Sequence, residues 1–129
     1  MSQELREFLE LSVTYINKKL SPKKRRDLKR KFTPRENRTV LLNIGSPTGT
    51  IGFKLDEKLN VTSDTIINPT VEVKLSEDTF WHLVTKKKTP PEAFFDGSIN
   101  FIGQNILRDY LVLSALFNEL SSLYEELTG

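Results

Sequence analysis

Residues 71–103 read VEVKLSEDTFWHLVTKKKTPPEAFFDGSINFIG, and the changes of period inside that stretch decide the fold. Val71, Val73 and Leu75 alternate with Glu72 and Lys74, the pattern of a strand with one buried face. Ser76 then caps a helix whose first turn carries Glu77 and Asp78, where the positive end of the helix dipole favours carboxylates. Phe80, Leu83 and Val84 form its inward face, and Lys86, Lys87 and Lys88 match its negative end. Pro90 and Pro91 open another short helical turn that runs to Phe95. Asp96-Gly97 is a turn, residues 98–102 are a strand, and Gly103 closes it.

Working outward, residues 105–127 form a long helix with a stripe of Ile106, Tyr110, Leu113, Phe117, Leu120, Tyr124 and Leu127, widened by Leu107, Leu111 and Leu116. Upstream, residues 39–44 and 50–55 are strands around a Gly45–Gly49 turn, and residues 58–62 are a short third strand. Residues 3–20 are a helix with Leu5, Phe8, Leu9, Val13, Ile16 and Leu20 on one face. Ser21-Pro22 stops that helix and starts a polar one over 22–32, and 33–37 is a loop. Strands cluster in the middle of the chain, which predicts an α+β fold with a mostly antiparallel sheet of about five strands covered by helices.

The 129 residues make one domain, with 1–37 as an N-terminal helix plus basic segment and 38–129 as the core. The absence of Cys removes disulfide scaffolds, thiolate metal sites and cysteine nucleophiles. The lone His82 excludes a multi-histidine metal site within one chain and has no sequence neighbour that orients it for catalysis. Gly45-Ser46-Pro47-Thr48-Gly49 lacks the lysine of a phosphate-cradling loop. No enzyme signature and no cofactor motif stands out, so the expectation is a protein that is not an enzyme and has no cofactor or metal. The polar first residues are unlike a secretory signal, and the longest uncharged apolar stretch near the end, residues 110–118, is too short to span a bilayer. A cytoplasmic location is the expectation.

Charge is unevenly placed. Residues 18–31 hold nine basic side chains against Asp27 alone, a local charge of +8, while the remainder carries −6. Lys23, Lys24, Arg25, Arg26, Lys29, Arg30 and Lys31 form a candidate surface for anionic partners, either a membrane or nucleic acid. No aromatic interleaves the run between Leu20 and Phe32, which argues against base stacking.

Aromatics gather in the C-terminal half, and the last helix has apolar surface for both a core and a second contact. The order seen from about Val71 to Asn105 resembles the lipid-binding domain of the sterol carrier protein 2 (SCP-2) family. The features are the strand into a Ser76-capped helix, the basic stretch and Pro90, Ala93-Phe94-Phe95-Asp96-Gly97, then Ile99-Asn100-Phe101 closed by Gly103, and a final helix. The likeness extends over residues 38–120, more loosely 3–127. Lys86 stands where the family usually has Gly, which predicts a differently shaped turn, and Gln104 where it often has Asp.

The resemblance implies a carrier, with a sterol-like, fatty acyl or isoprenoid ligand in a hydrophobic tunnel between sheet and helices. Its wall would be drawn from Phe53, Phe80, Phe94, Ile99, Phe101, Ile106, Tyr110, Leu113 and Phe117, with the Tyr110 hydroxyl available to a polar head. The expected partners are a lipid or other apolar small molecule and an anionic membrane surface. Nucleic acid, a homodimer and a regulatory subunit with a filled core are the alternatives.

Overall fold

Strand alternation and register fix the inner face of the molecule. The computed structural model describes residues 3–19, 21–24, 26–27, 39–44, 50–55, 61–64, 71–103 and 106–129. Among them are α1 (Gln3–Lys18), β1 (Thr39–Ile44), β2 (Thr50–Leu55), β3 (Val61–Asp64) and β4 (Val71–Leu75). They are followed by α2 (Glu77–Val84), α3 (Pro90–Phe95), β5 (Ile99–Gly103) and α4 (Ile106–Thr128). Residues 22–24 and 26–27 are helical, in line with a new start at Pro22. The Gly45–Gly49 turn and the 33–37 loop lie outside the described residues.

The strands form one sheet in the order β3-β2-β1-β4-β5. Neighbours are antiparallel except β1 and β4, which run parallel, so β4 returns beside β1 after the β2–β3 excursion. Register aligns Leu42 with Val73 and Phe101, and Ile44 with Leu75 and Ile99, on one face. Leu42, Ile44, Val71, Val73, Leu75 and Ile99 are buried there. The opposite face carries exposed Lys74, Asn100 and Ile102 and half-buried Asn43, whose amide donates to Glu72 Oε1 at 3.4 Å. Helices therefore cover one side of the sheet, and the α+β class with N-terminal and long C-terminal helices is as the sequence predicts. The third strand is described at Val61–Asp64, and residues 58–60 of the expected 58–62 strand lie outside the described residues. The strand after Asp96-Gly97 includes Gly103, because that residue still pairs with Val71.

The core lies between that inner face and the helices. Leu5, Phe8, Leu9 and Ile16 of α1 meet Phe80, Leu83 and Val84 of α2 and the α4 stripe from Leu113 to Leu123. Phe8, Phe80, Trp81, Phe117 and Tyr124 form a network with centroids 5.4–6.1 Å apart where they touch, mostly edge-on or tilted. Such contacts add about 0.5–1.5 kcal/mol each beyond area burial.

Ser76 caps α2 as the sequence predicts, and Thr89 caps α3. Ser76 Oγ accepts the Thr79 amide at 3.0 Å, and Thr89 Oγ1 accepts that of Glu92 at 3.3 Å. Gly97 takes φ 82°, and Asp96 Oδ1 accepts the Ser98 amide at 2.8 Å, so aspartate and glycine together make the turn.

The end of α2 departs from the expectation for its lysines. The helix stops at Val84 with Thr85 as cap, and Lys86 lies beyond it at φ 62°. Lys86 thus occupies the left-handed backbone region that glycine favours at helix ends, and its amide donates to the Leu83 carbonyl at 3.3 Å. Lys88 does not serve the helix dipole, because its ammonium is held by Asp96 Oδ2 at 2.6 Å and Ser98 Oγ at 3.0 Å.

Candidate functional site

Seven of the nine residues nominated for a ligand wall fall into two connected groups. Phe80, Ile99, Leu113 and Phe117 lie in the sealed core, each less than 5% exposed. Phe80 and Phe117 touch each other at 5.5 Å, and Phe80 also touches Phe8 of α1 at 6.1 Å. Phe101 packs against that core from its edge. From Phe101 a second group extends toward solvent: Phe94 at 5.7 Å and Tyr110 at 6.4 Å, with Phe94 and Tyr110 themselves 5.9 Å apart. Phe53 stands opposite Val40 in the β1–β2 ladder and Ile106 begins α4. The side chains of both lie outside the described residues.

Each member of the second group is delivered by a different element. The Thr89 cap and Pro90 fix α3, which presents Phe94. Strand alternation puts Phe101 on the inner face beside Val73. The first turns of α4 bring Tyr110 across to both. All three rings are half-buried. Burial in this apolar surrounding pushes the Tyr110 phenol pKa above its ordinary value, so the hydroxyl stays a neutral donor. The arrangement is an aromatic triangle with one polar atom, continuous with the sealed core on one side and with the surface on the other.

Asp96 anchors the α3–β5 turn beside it. Hydrogen bonds from Lys88 and Ser98 lower its carboxyl pKa from 3.8 to about 2. Because Lys88 and Asp96 lie on either side of α3, their 2.6 Å contact ties that helix down at both ends. Sequence reading missed this pair, and its only signal was a lysine and an aspartate flanking a proline-started turn.

The basic segment is placed only in part. Lys23, Lys24 and Arg26 are exposed, while Arg25, Lys29, Arg30 and Lys31 lie outside the described residues. Lys24 Nζ is 3.9 Å from Glu119 Oε2 of α4, an oxygen that is buried and has no hydrogen bond among the described residues. Sequence reading missed Glu119, and also Ser121, whose buried hydroxyl donates to the Val84 carbonyl with that of Leu83 3.4 Å away. Ser121 thereby satisfies a carbonyl that the end of α2 leaves open. Its signal was its place four residues after Phe117 on the apolar stripe. His82 is exposed, and no group of metal-ligating side chains occurs among the described residues. Among the described residues no helix is long and apolar enough to cross a membrane.

Comparison with known proteins supplies the remaining evidence. The model of the SCP-2 sterol transfer family matches residues 16–107. No curated protein sequence matches the chain. Among solved structures, apo sterol carrier protein 2 from Yarrowia lipolytica is 15% identical with a TM-score of 0.59, over 91% of this chain and 89% of that one. Palmitated SCP2L2 from Aedes aegypti is 19% identical with a TM-score of 0.56, over 89% and 95% of the two chains. A UbiJ-SCP2 ubiquinone synthesis protein is 9% identical with a TM-score of 0.62, over 96% of each. At these identities the structures speak for the fold.

Proposed function

The chain belongs to the SCP-2 sterol transfer family, and from that premise we propose that it carries an apolar lipid between the inner face of the sheet and α4, as a binding protein and not a catalyst. The observation that supports this reading is the aromatic triangle of Phe94, Phe101 and Tyr110, which continues the sealed core outward to the surface. A hydrocarbon chain would lie along Ile99, Phe101 and Leu113, with Phe80 and Phe117 closing the inner end and Phe94 and Tyr110 at the mouth. Phe53 and Ile106 remain proposed members of the wall.

Removing each methylene from water yields about 0.8 kcal/mol, so a sixteen-carbon chain gains roughly 13 kcal/mol gross. A bilayer offers a similar gain. A carrier therefore has to match the membrane and not exceed it, and loose apolar complementarity is sufficient. The ligand class is a fatty acyl, sterol-like or isoprenoid molecule. The neighbour described as palmitated supports the acyl member of that class. The neutral Tyr110 hydroxyl would donate to a carboxylate or other polar head.

Titration with a fluorescent fatty acid tests the proposal. Saturable binding at one site is expected, weakened at least several-fold by Phe101→Ala. Tyr110→Phe should weaken the acid more than a hydrocarbon analogue lacking the head. Absence of saturable binding, or equal binding by Phe101→Ala, would overturn it.

A further inference from the structure

A hydrocarbon chain does not pass the aromatic triangle as it stands. The ring centroids of Phe94, Phe101 and Tyr110 lie 5.7–6.4 Å apart, which is ring-on-ring contact. Beneath them Ile99, Leu113 and Phe117 are buried. A ligand therefore uses this mouth only when one of the three rings moves aside.

The three are anchored very unequally. Phe101 belongs to β5, which pairs with β4 along its whole length. Tyr110 belongs to α4, which is pinned by buried Leu113, Phe117 and Leu120. Phe94 belongs to α3, a helix of 6 residues that buries Ala93 alone. The hydrogen bonds described for residues 89–95 also close within 89–97. Thr89 Oγ1 accepts the Glu92 amide, and the Thr89 carbonyl accepts that of Ala93 at 3.0 Å. The Glu92 and Phe94 carbonyls accept the amides of Asp96 and Gly97 at 2.9 and 3.4 Å. This one-turn helix is thus a self-contained unit with little buried apolar surface, the kind of segment that opens at low cost.

Its ties to the body are at its base. Lys88 is a fixed post, because its amide donates to the His82 carbonyl of α2 at 3.1 Å. From there its ammonium reaches Asp96 Oδ2 and Ser98 Oγ on the far side of α3. Past Asp96, Gly97 holds φ 82°, and a Cβ placed there would meet nothing within 4 Å. The chain can pivot at this glycine without displacing a neighbour. With the Lys88 contacts broken, the burial of Ala93 and the rings around Phe94 are what keep α3 seated.

We propose that α3 is the gate of the ligand mouth, with Phe94 as its plug and the Lys88–Asp96 pair, braced by Ser98, as its latch. The inference rests on the carrier reading and adds to it the part that moves. Because the latch lies outside the proposed wall, it holds the closed form equally whether the interior is empty or filled. Weakening it speeds entry and exit together and leaves affinity almost unchanged.

Stopped-flow mixing of the full chain with a fluorescent fatty acid, followed by displacement with excess palmitate, tests it. Lys88→Met and Asp96→Asn should each raise both rate constants about twofold to fivefold, the range a partly exposed ion pair supports, with Kd changed by less than about twofold. The swap Lys88→Asp/Asp96→Lys should return both toward wild type. Lys87→Met removes a neighbouring charge outside the latch and should leave both rates unchanged. Hydrogen exchange gives a readout free of ligand: amides 92–96 should exchange as one group, faster than those of α2 and faster again in Asp96→Asn. Wild-type rates in both latch variants would overturn the proposal. So would faster release alone, equal acceleration by Lys87→Met, or amides 92–96 as protected as those of α2. Wild-type protein that binds no fatty acid sinks the carrier reading and the gate with it. Retained binding with unaltered rates in the latch variants sinks the gate alone.

Discussion

Replacing Lys86 by glycine should stabilise the protein. Lys86 holds φ 62° just past the end of α2. A left-handed backbone costs a residue with a Cβ about 1–2 kcal/mol. Glycine removes that cost but has a freer unfolded chain, an offset of about 0.4–1 kcal/mol. The substitution also removes the Lys86–Glu125 ion pair, whose side chains are 61% and 65% exposed. A pair so open to water contributes only a few tenths of a kcal/mol. The net gain for Lys86→Gly is therefore about 0.5 kcal/mol. Lys86→Ala is the control, since it loses the same ion pair and keeps the strained backbone. The gap between glycine and alanine should be about 0.5–1 kcal/mol, or roughly 3 °C in Tm for a chain of this size. Thermal melts followed by circular dichroism, with urea midpoints alongside, resolve such a gap. Alanine as stable as glycine would refute the backbone argument.

Other outcomes follow from the same contacts. Ser121→Ala should cost about 1–2 kcal/mol in urea unfolding, because it leaves the Val84 carbonyl without its donor at a buried junction. Phe117→Ala, at a position 2% exposed and in contact with Phe80, should cost about 3–5 kcal/mol in the same assay. Asp96 has a folded pKa of about 2, below its ordinary 3.8. Its contribution to stability is thus present above about pH 4 and lost as pH falls toward 2. Asp96→Asn should flatten the decline of urea midpoints across that window while leaving Phe80 and its neighbours packed.

Much of this fold is legible in residues 71–103 because their signals are local. Val71, Val73 and Leu75 alternate, Ser76 caps α2, Pro90 and Pro91 open α3, and Asp96-Gly97 turns the chain. Strand neighbours are a different matter. The parallel pairing of β1 with β4 joins residues about thirty positions apart, and alternation reveals a strand's faces but not its partners. The Lys86 conformation was half visible. Glycine is usual there in the family, and the lysine takes the glycine conformation itself where the sequence suggested a reshaped turn.

The candidate site shows the same division. Periodicity placed Phe80, Leu113 and Phe117 on an inward face, and they are buried. It could not separate them from Phe94, Phe101 and Tyr110, because the division depends on how α1 covers one end of α4 and α3 approaches the other. Ser121 and Glu119 escaped notice because their partners, Val84 and Lys24, are distant in sequence. The exposure of Phe95 escaped for a related reason: a pair of adjacent phenylalanines on a one-turn helix must face different ways, and sequence does not say which one faces water.

The carrier claim is tested most directly by native mass spectrometry of the purified full chain, followed by organic extraction and identification of what is released. The account predicts one apolar molecule per chain, exchangeable for added palmitate with a rise in Tm. A protein that arrives empty, gains no mass from palmitate or an isoprenoid alcohol, and melts at the same temperature with either would contradict it.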